Sequence, residues 1–242
     1  MARLVFTESL ALLGATDIHP GGRDATNFLL DELQKANPRR VLEIGAGSGA
    51  TTERMMKRGW QVTPIEPSQV LRRVLEKRLG ISVHPEEFES FDEGAGGFDA
   101  AIAESVFYCL DHAAAFAKVH RLLRPGGLLA FIDMVWTDRG DPALAASIHD
   151  RSTRTFGIPT ASREWLTWPR WKQHLEQAGF AEVVARRLPP DSFQPISRWA
   201  KLARGLRHPV ALAHYLHYRR FYGQTWAPPG SFESWMAVWR RV

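Results

Sequence analysis

Residues 41–49 read Val-Leu-Glu-Ile-Gly-Ala-Gly-Ser-Gly, and this stretch decides the fold. A short apolar run ends abruptly in three glycines, each separated from the next by one residue (Gly45, Gly47 and Gly49), and a helix-like stretch begins at Ala50. Glycines lack a Cβ, so they permit a sharp strand-to-helix turn and let a ligand lie on the backbone, near unpaired N–H groups. The stretch therefore predicts a nucleotide-type ligand site at the carboxyl end of a first strand.

Around this stretch, strand-like and helix-like segments alternate. We expect strands at about 40–44, 61–66, 81–83, 98–103, 127–134, 180–188 and 232–240. Helical patterns cover about 4–13, 24–36, 70–79, 112–123, 141–155 and 169–178. This alternation predicts an α/β fold with a doubly wound, mostly parallel, seven-stranded sheet and N-terminal helices.

Length and composition favour an enzyme of one soluble domain. The chain has 242 residues, of which 45% are hydrophobic and 24% charged. No apolar run reaches the roughly 20 residues that span a bilayer, and the N-terminus lacks a signal peptide's apolar core. The single cysteine, Cys109, argues against a disulfide framework and a multi-thiolate metal site, so we expect no metal. These features predict a cytoplasmic location.

The glycine stretch fits two ligands. Residues 45–50 match the dinucleotide fingerprint G-x-G-x-x-G/A, with Glu66 downstream where a ribose-binding acid belongs. Residues 43–49 also resemble motif I of the class I S-adenosylmethionine (SAM) methyltransferases, in which an acid precedes the glycines. Glu43 favours the second interpretation, because a carboxylate there would oppose the phosphates of NAD and suit the cationic groups of SAM.

Three further segments resemble the same family. Residues 61–66 look like its second strand, ending in the acid Glu66. Phe98 to Glu104 resembles its fourth strand, and Leu122 to Asp133 resembles its helix, Pro-Gly-Gly turn and fifth strand. The resemblance covers residues 39–135 and includes four motifs in the family's order. It implies a SAM-dependent methyltransferase that acts by direct displacement at the methyl carbon.

The resemblance also implies a domain organisation. Residues 1–242 would form one domain, with an N-terminal helical cap over 1–38 and a Rossmann-like core over 39–188. A helical insertion over 189–230 would cover the site. The last strand, within 231–242, would lie antiparallel to the rest of the sheet.

By this resemblance the methyl donor SAM would lie across the strand ends. Gly45, Gly47 and Gly49 would pass beneath its amino-acid part and ribose, Glu43 would stabilise its positive charge, and Glu66 would accept from the ribose hydroxyls beside Pro67. An acid after the third strand would reach the adenine amino group, either Glu86 or Glu87. Glu104 and Ser105 would line the methionine end. The competing structural roles are helix capping for Glu66, Glu104 and Ser105, and an exposed loop position for Glu86 and Glu87.

The catalytic group stays open at this stage. A general base is needed only when the accepting atom must lose a proton. Four residues in segments expected near the mouth are candidates: His19, Glu104, Tyr108 and His112. No spacing singles one of them out, and a lone histidine is more often structural.

The acceptor has only indirect signals. No Pro-Cys pair follows strand four, and the nucleobase amino-methylation motif is missing, which leaves small-molecule acceptors. Seven of the nine tryptophans follow residue 160, and Arg186 to Arg220 holds eight Lys or Arg residues against one acid, Asp191. This segment would roof an aromatic pocket for a planar or anionic acceptor, pack a homodimer interface, or form a solvated helical face. RNA methylation through the basic segment, an NAD(P)-dependent oxidoreductase, and a SAM-binding protein without catalysis are the alternatives.

Overall fold

The computed structural model describes residues 4–189, 204–222 and 227–242. Its helices are α1 (Phe6–Leu12), α2 (Gly22–Gln34), α3 (Ala50–Lys57), α4 (Gln69–Leu79), α5 (His112–Leu122), α6 (Pro142–Phe156), α7 (Trp168–Gln177) and α8 (Pro209–Tyr222). Its strands are β1 (Arg40–Ile44), β2 (Gln61–Ile65), β3 (Phe98–Glu104), β4 (Leu123–Trp136), β5 (Phe180–Arg187) and β6 (Phe232–Arg241). A short 3₁₀ turn, Phe107–Cys109, follows β3.

The described strands form one sheet in the order β2-β1-β3-β4-β6-β5. β1 pairs in parallel with β2 and β3, and β3 pairs in parallel with β4. β6 runs antiparallel between β4 and β5. The α/β class and the mostly parallel sheet with an antiparallel last strand are therefore confirmed.

The described sheet has six strands rather than the expected seven. The segment predicted as a strand at 81–83 pairs with the sheet only through a bridge between Ile65 and His84. Only four residues separate Gly80, which ends α4 in the left-handed conformation, from Pro85, which has no N–H to donate. The segment is too short to extend the pairing further.

The central strands β1, β3 and β4 are buried on both faces, which explains their largely apolar sequences. Along β3, Ala101 and Ala103 pack on the side of α5 and α7, whereas Ala100 and Ile102 pack on the side of α2 and α3. This alternation follows from the two-residue period of a strand. Two clusters of buried residues therefore hold the helices on opposite faces, and the strand ends stay fixed in position.

Several helix ends have clear chemical causes. Asp111 and Asp141 accept hydrogen bonds from backbone N–H groups in the first turns of α5 and α6, each at 2.8 Å. Gly80 and Gly157 end α4 and α6 with positive φ angles, which glycine adopts without a Cβ clash. These stops place the loops after α4 and α6 beside the carboxyl ends of the strands.

Part of the expected 189–230 insertion is described, as helix α8, and α8 packs against α1. Residues 190–203 and 223–226, which include Trp199 and Trp226, lie outside the described residues. Within the described ranges, no helix is long and apolar enough to cross a membrane.

Candidate active site

The principal cleft lies at the carboxyl ends of β1, β2 and β3, where ligands bind in open α/β sheets. Its volume is about 480 Å³. The strand ends and the glycine loop form its floor. Its walls come from α1, from residues 16–19 and from the loop at 157–159. A volume of this order suits a ligand of the size of a nucleoside conjugate.

The three glycines of the loop have different functions. A Cβ on Gly45 would lie 2.6 Å from a methyl carbon of Val106, and a Cβ on Gly49 would lie 2.7 Å from Leu75. A Cβ on Gly47 would meet no atom within 4 Å. All three have positive φ angles. Gly45 and Gly49 therefore permit close packing, whereas Gly47 keeps an open space beside the backbone.

Gly45 and Gly47 line the cleft, and Gly49 does not. Gly49 is buried beneath α4 and precedes the first turn of α3. The prediction that the glycines pass beneath a ligand is thus matched by cleft lining at Gly45 and Gly47. Gly49 sets the start of α3, whose first residues Ala50 and Thr51 line the cleft.

Glu66 lies immediately after β2 and lines the cleft with Pro67. Its carboxylate accepts from the backbone N–H groups of Gly47 at 2.8 Å and Ser68 at 2.9 Å. Burial raises the pKa of Glu66 above its usual value, although these two hydrogen bonds work in the opposite direction. Each carboxylate oxygen keeps a second lone pair for a hydroxyl donor.

Glu43 lines the cleft from β1 and is buried. The Thr52 hydroxyl donates to it at 2.5 Å. Burial, reinforced by the nearby Glu104 carboxylate, raises the pKa of Glu43 to about 8. The side chain is therefore poised to lose its proton when a cation arrives beside it.

Of the two acids proposed for the adenine end, Glu87 lines the cleft and Glu86 does not. The Glu86 carboxylate lies 3.6 Å from the Nδ1 of His84, on the outer side of the loop. Phe88 and Glu89 join Glu87 along the cleft wall. The structure thus favours the second choice over the first, and Glu89 is an acid that the sequence pattern did not single out.

Glu104 ends β3 and is held by hydroxyl groups from two helices. Thr26 of α2 donates to its Oε1, and Thr51 of α3 donates to its Oε2, each at 2.6 Å. The Nε2 of His19 lies 3.1 Å from the Thr26 hydroxyl oxygen and 3.6 Å from Glu104 Oε1. His19, Glu104 and the neighbouring Ser105 all line the cleft. Two catalytic candidates are therefore brought together through Thr26.

Tyr108 and His112 lie differently. Tyr108 lines the main cleft and also a smaller cavity of about 220 Å³, whereas His112 lines only the smaller one. The His112 ring packs edge-on against Trp171, with 4.5 Å between ring centroids. Burial lowers the pKa of His112 to about 4, so the ring is neutral at physiological pH. His112 consequently lies outside the main cleft.

An ion pair fixes the wall formed by residues 16–19. Asp17 is buried with a positive φ angle, and its carboxylate lies 2.5 Å from the guanidinium of Arg54 in α3. Burial works to raise the pKa of Asp17, but Arg54 and the Thr16 hydroxyl outweigh it and hold the pKa below its usual value. The pair anchors this wall, and His19 with it, to the helix that follows the glycine loop.

Comparison with known proteins identifies the family. A family model described as a methyltransferase domain matches residues 42–131. An uncharacterised methyltransferase of Mycobacterium tuberculosis is 30% identical over 179 residues, which cover 65% of this chain and 68% of the relative. This chain belongs to the class I SAM-dependent methyltransferases. The methyltransferase is therefore not the NAD(P)-dependent oxidoreductase that the glycine spacing also allowed.

Two further similarities concern proteins with named acceptors. The methyltransferase is 27% identical over 210 residues to a ubiquinone biosynthesis O-methyltransferase of Alkalilimnicola ehrlichii, covering 83% of this chain and 81% of the relative. Its structure resembles that of the geranyl diphosphate C-methyltransferase of Streptomyces coelicolor, with a TM-score of 0.65 and 19% identity. That match covers 91% of this chain and 76% of the other. At such low identity, the structural likeness shows a common fold.

Proposed function

We propose that this methyltransferase transfers the methyl group of SAM to a small-molecule acceptor by direct displacement. The observation that carries the proposal is that Glu43, Glu66 and Glu104 line one cleft together with Gly47, beside which the space is open. Three carboxylates at the ends of adjacent strands suit a ligand with hydroxyl donors at one end and positive charge at the other.

The donor would lie across the strand ends with its ribose beside Glu66. The free lone pairs of this carboxylate would accept from the ribose hydroxyls, while Gly47 would leave room for the ligand to approach the backbone. Glu43 and Glu104 would face the charged methionine end, and Glu87 would face the adenine edge. SAM supplies an already activated methyl group, so positioning by the cleft accounts for much of the catalysis.

The size of the cleft supports a small acceptor. Walls from α1, residues 16–19 and residues 157–159 bound the strand ends, and the volume of about 480 Å³ is in the range of small-molecule sites. The named relatives point the same way, since one acts in ubiquinone biosynthesis and the other methylates geranyl diphosphate. Tyr108 and Leu110, which line both the main cleft and the smaller cavity, suit an acceptor with an apolar body.

RNA methylation has less support. Three exposed arginines of the basic 186–220 segment already contact other groups of the protein. Arg187 lies 3.0 Å from Glu233, Arg186 lies over the ring of Phe28, and the side chain of Arg204 packs on Gly14. An RNA phosphate would have to compete with these contacts.

Isothermal titration calorimetry tests the donor assignment. The proposal predicts binding of SAM and of its demethylated product S-adenosylhomocysteine, and no binding of NAD. Failure to bind either SAM or S-adenosylhomocysteine contradicts the proposal. Incubation with methyl-labelled SAM and a panel of small molecules then separates an active enzyme from a protein that binds SAM without catalysis.

A further inference from the structure

His19, Thr26 and Glu104 form a buried hydrogen-bond chain on the cleft wall. The exposed fractions of the His19 and Glu104 side chains are 6% and 12%, and Thr26 is fully buried. The Nε2 of His19 lies within hydrogen-bond distance of the Thr26 hydroxyl oxygen, and the Thr26 hydroxyl donates a hydrogen bond to Glu104. At 3.6 Å, His19 and Glu104 do not bond directly, so the threonine hydroxyl is the bridge.

The donors and acceptors of this chain fix its proton content. The Nδ1 of His19 lies 3.1 Å from the Pro20 carbonyl oxygen, which can only accept, so Nδ1 carries a proton. Thr26 has one hydroxyl proton for Glu104 and His19, because its third neighbour, the Gly22 carbonyl oxygen, is the most distant at 3.4 Å. If ionised Glu104 accepts the hydrogen bond from the Thr26 hydroxyl, the Nε2 of His19 must carry a proton in order to donate to the Thr26 oxygen. If Nε2 accepts the hydrogen bond from Thr26, Glu104 must be protonated in order to donate to the Thr26 oxygen. A satisfied chain therefore holds one additional proton, on either His19 or Glu104.

We propose that His19, Thr26 and Glu104 act as one proton-accepting unit, with Glu104 as the catalytic base and His19 and Thr26 as positioning residues. This inference rests on the proposed function. It implies that the methyl acceptor is a molecule whose accepting atom must lose a proton. We choose phenols as the class of acceptor for the test. Glu104 is the member that meets the acceptor because its side chain is the more exposed end of the chain.

Methyl transfer at this unit couples loss of the acceptor proton to formation of the new bond. Before transfer the unit is one proton short of the satisfied chain, with Glu104 ionised and the Nε2 of His19 unprotonated. The acceptor O–H bond breaks and its proton passes to Glu104, while an oxygen electron pair forms the new bond to the methyl carbon. The bond between that carbon and the sulfonium breaks, and its electron pair stays on sulfur, giving a neutral thioether. The proton is then shared with His19 through Thr26 and leaves to solvent after the product departs.

Other charged groups face the unit from the surrounding elements. Asp17 lies near His19 on the same wall but is paired with Arg54 and Arg23. Glu43 of β1 lies near Glu104 and interacts with it electrostatically. Any pH profile of the unit therefore has to be compared between variants that leave Asp17, Glu43 and their partners unchanged.

The chain offers a matched pair of threonines for the test. Thr26 and Thr51 both donate to Glu104 at 2.6 Å, but only Thr26 also contacts His19. We would follow the His19 ring nitrogens by NMR between about pH 5 and about pH 9, assigning them with His19→Gln. The effect of Glu104→Gln would be measured in the wild-type, Thr26→Val, Thr26→Ser and Thr51→Val backgrounds.

We expect Glu104→Gln to shift the His19 Nε2 resonance in the wild type, in Thr26→Ser and in Thr51→Val. In Thr26→Val this shift should fall below about half of its wild-type size, because the hydroxyl that bridges His19 and Glu104 is lost. An equal shift in Thr26→Val overturns the relay, since simple charge attraction would then explain it. Thr26→Ser keeps the test valid if the valine variant folds poorly.

Methyl transfer to catechol and to the more acidic 4-nitrocatechol tests the base. Glu104→Gln should slow transfer to catechol by about a hundredfold or more, and transfer to 4-nitrocatechol far less, because that phenol ionises without help. Thr26→Val should slow methyl transfer to catechol without changing the affinity for SAM. Thr26→Ser should restore the rate, because serine keeps the bridging hydroxyl. Equal loss with both phenols at saturating SAM, or transfer to neither by a protein that binds SAM, overturns the assignment. Absence of SAM binding would instead refute the proposed function.

Discussion

The Glu66 carboxylate accepts a hydrogen bond from the Gly47 backbone N–H at 2.8 Å. This contact joins the end of β2 to the open position of the glycine loop, so the ribose-binding candidate and the backbone cradle belong to one unit. Sequence spacing places the two residues in separate motifs. The structure shows that a change at either one should be felt at the same part of the ligand.

Replacing Glu66 by Ala should weaken SAM binding by about 1–3 kcal/mol, because the ribose hydroxyls would lose their acceptor. Glu86→Ala is the matched control, since Glu86 belongs to a neighbouring segment but does not line the cleft. Calorimetric titration of both variants measures the difference. Wild-type affinity in Glu66→Ala would refute the ribose assignment.

Gly47→Ala should block SAM binding by placing a methyl group in the open space of the loop. Gly59→Ala is a close control, because Gly59 also has a positive φ angle and no atom within 4 Å of an added Cβ, yet it does not line the cleft. Both variants should lose about 1–3 kcal/mol of stability to backbone strain. Only Gly47→Ala should lose SAM affinity, and equal affinities in the two variants would contradict this role.

Glu87 should recognise the adenine amino group in place of Glu86. Titrations with S-adenosylhomocysteine and S-inosylhomocysteine compare ligands that differ at this group. The wild type and Glu86→Ala should both prefer the adenosyl ligand, and Glu87→Ala should lose most of that preference, since a lone hydrogen bond to a charged group contributes about 1.5–3 kcal/mol. If Glu86→Ala loses the preference instead, the assignment must be reversed.

Glu43 should make folding stability fall as pH rises. Its pKa is about 8 in the folded protein and 4.5 in its usual state, so between these values the folded protein holds a proton that the unfolded chain has released. Stability should decrease by up to about 1.4 kcal/mol per pH unit in this window. Glu43→Gln should remove this contribution, as chemical denaturation at several pH values would show. An identical pH dependence in the variant would contradict it.

The same residue should make donor recognition depend on pH. The sulfonium charge of SAM, which S-adenosylhomocysteine lacks, favours ionised Glu43. The affinity ratio of SAM to S-adenosylhomocysteine should therefore rise toward pH 8. Both ligands carry the same ammonium group, so its titration cancels in the ratio. A ratio that is independent of pH in the wild type, or equally pH-dependent in Glu43→Gln, would count against this role.

The sequence predicts those parts of the cleft that belong to strand ends. Glu43 lies one residue before the end of β1, Glu104 ends β3 and Glu66 follows β2, and parallel strands place such residues at one edge of the sheet. The Thr26–Glu104 contact could not be predicted, because it joins residues 78 positions apart through the packing of α2 on the sheet. The choice between Glu86 and Glu87 depends on the direction of one loop side chain, which has no periodic signal.

The roles of the loop glycines are likewise only partly predictable from the sequence. The spacing of Gly45, Gly47 and Gly49 predicts the turn between strand and helix, because that conformation is local. Which glycine faces the ligand depends on Val106 and Leu75, whose side chains arrive from distant elements. The short bridge at His84 likewise reflects the room left between α4 and Pro85, rather than the β-propensity of residues 81–83.

Transfer of a labelled methyl group from SAM, followed by separation of small molecules, RNA and protein, tests the central claim most directly. The wild-type protein should place label in the small-molecule fraction of a cell extract, and Gly47→Ala should place far less there than Gly59→Ala. Label in RNA or protein, or no transfer to any fraction, would contradict a small-molecule methyltransferase.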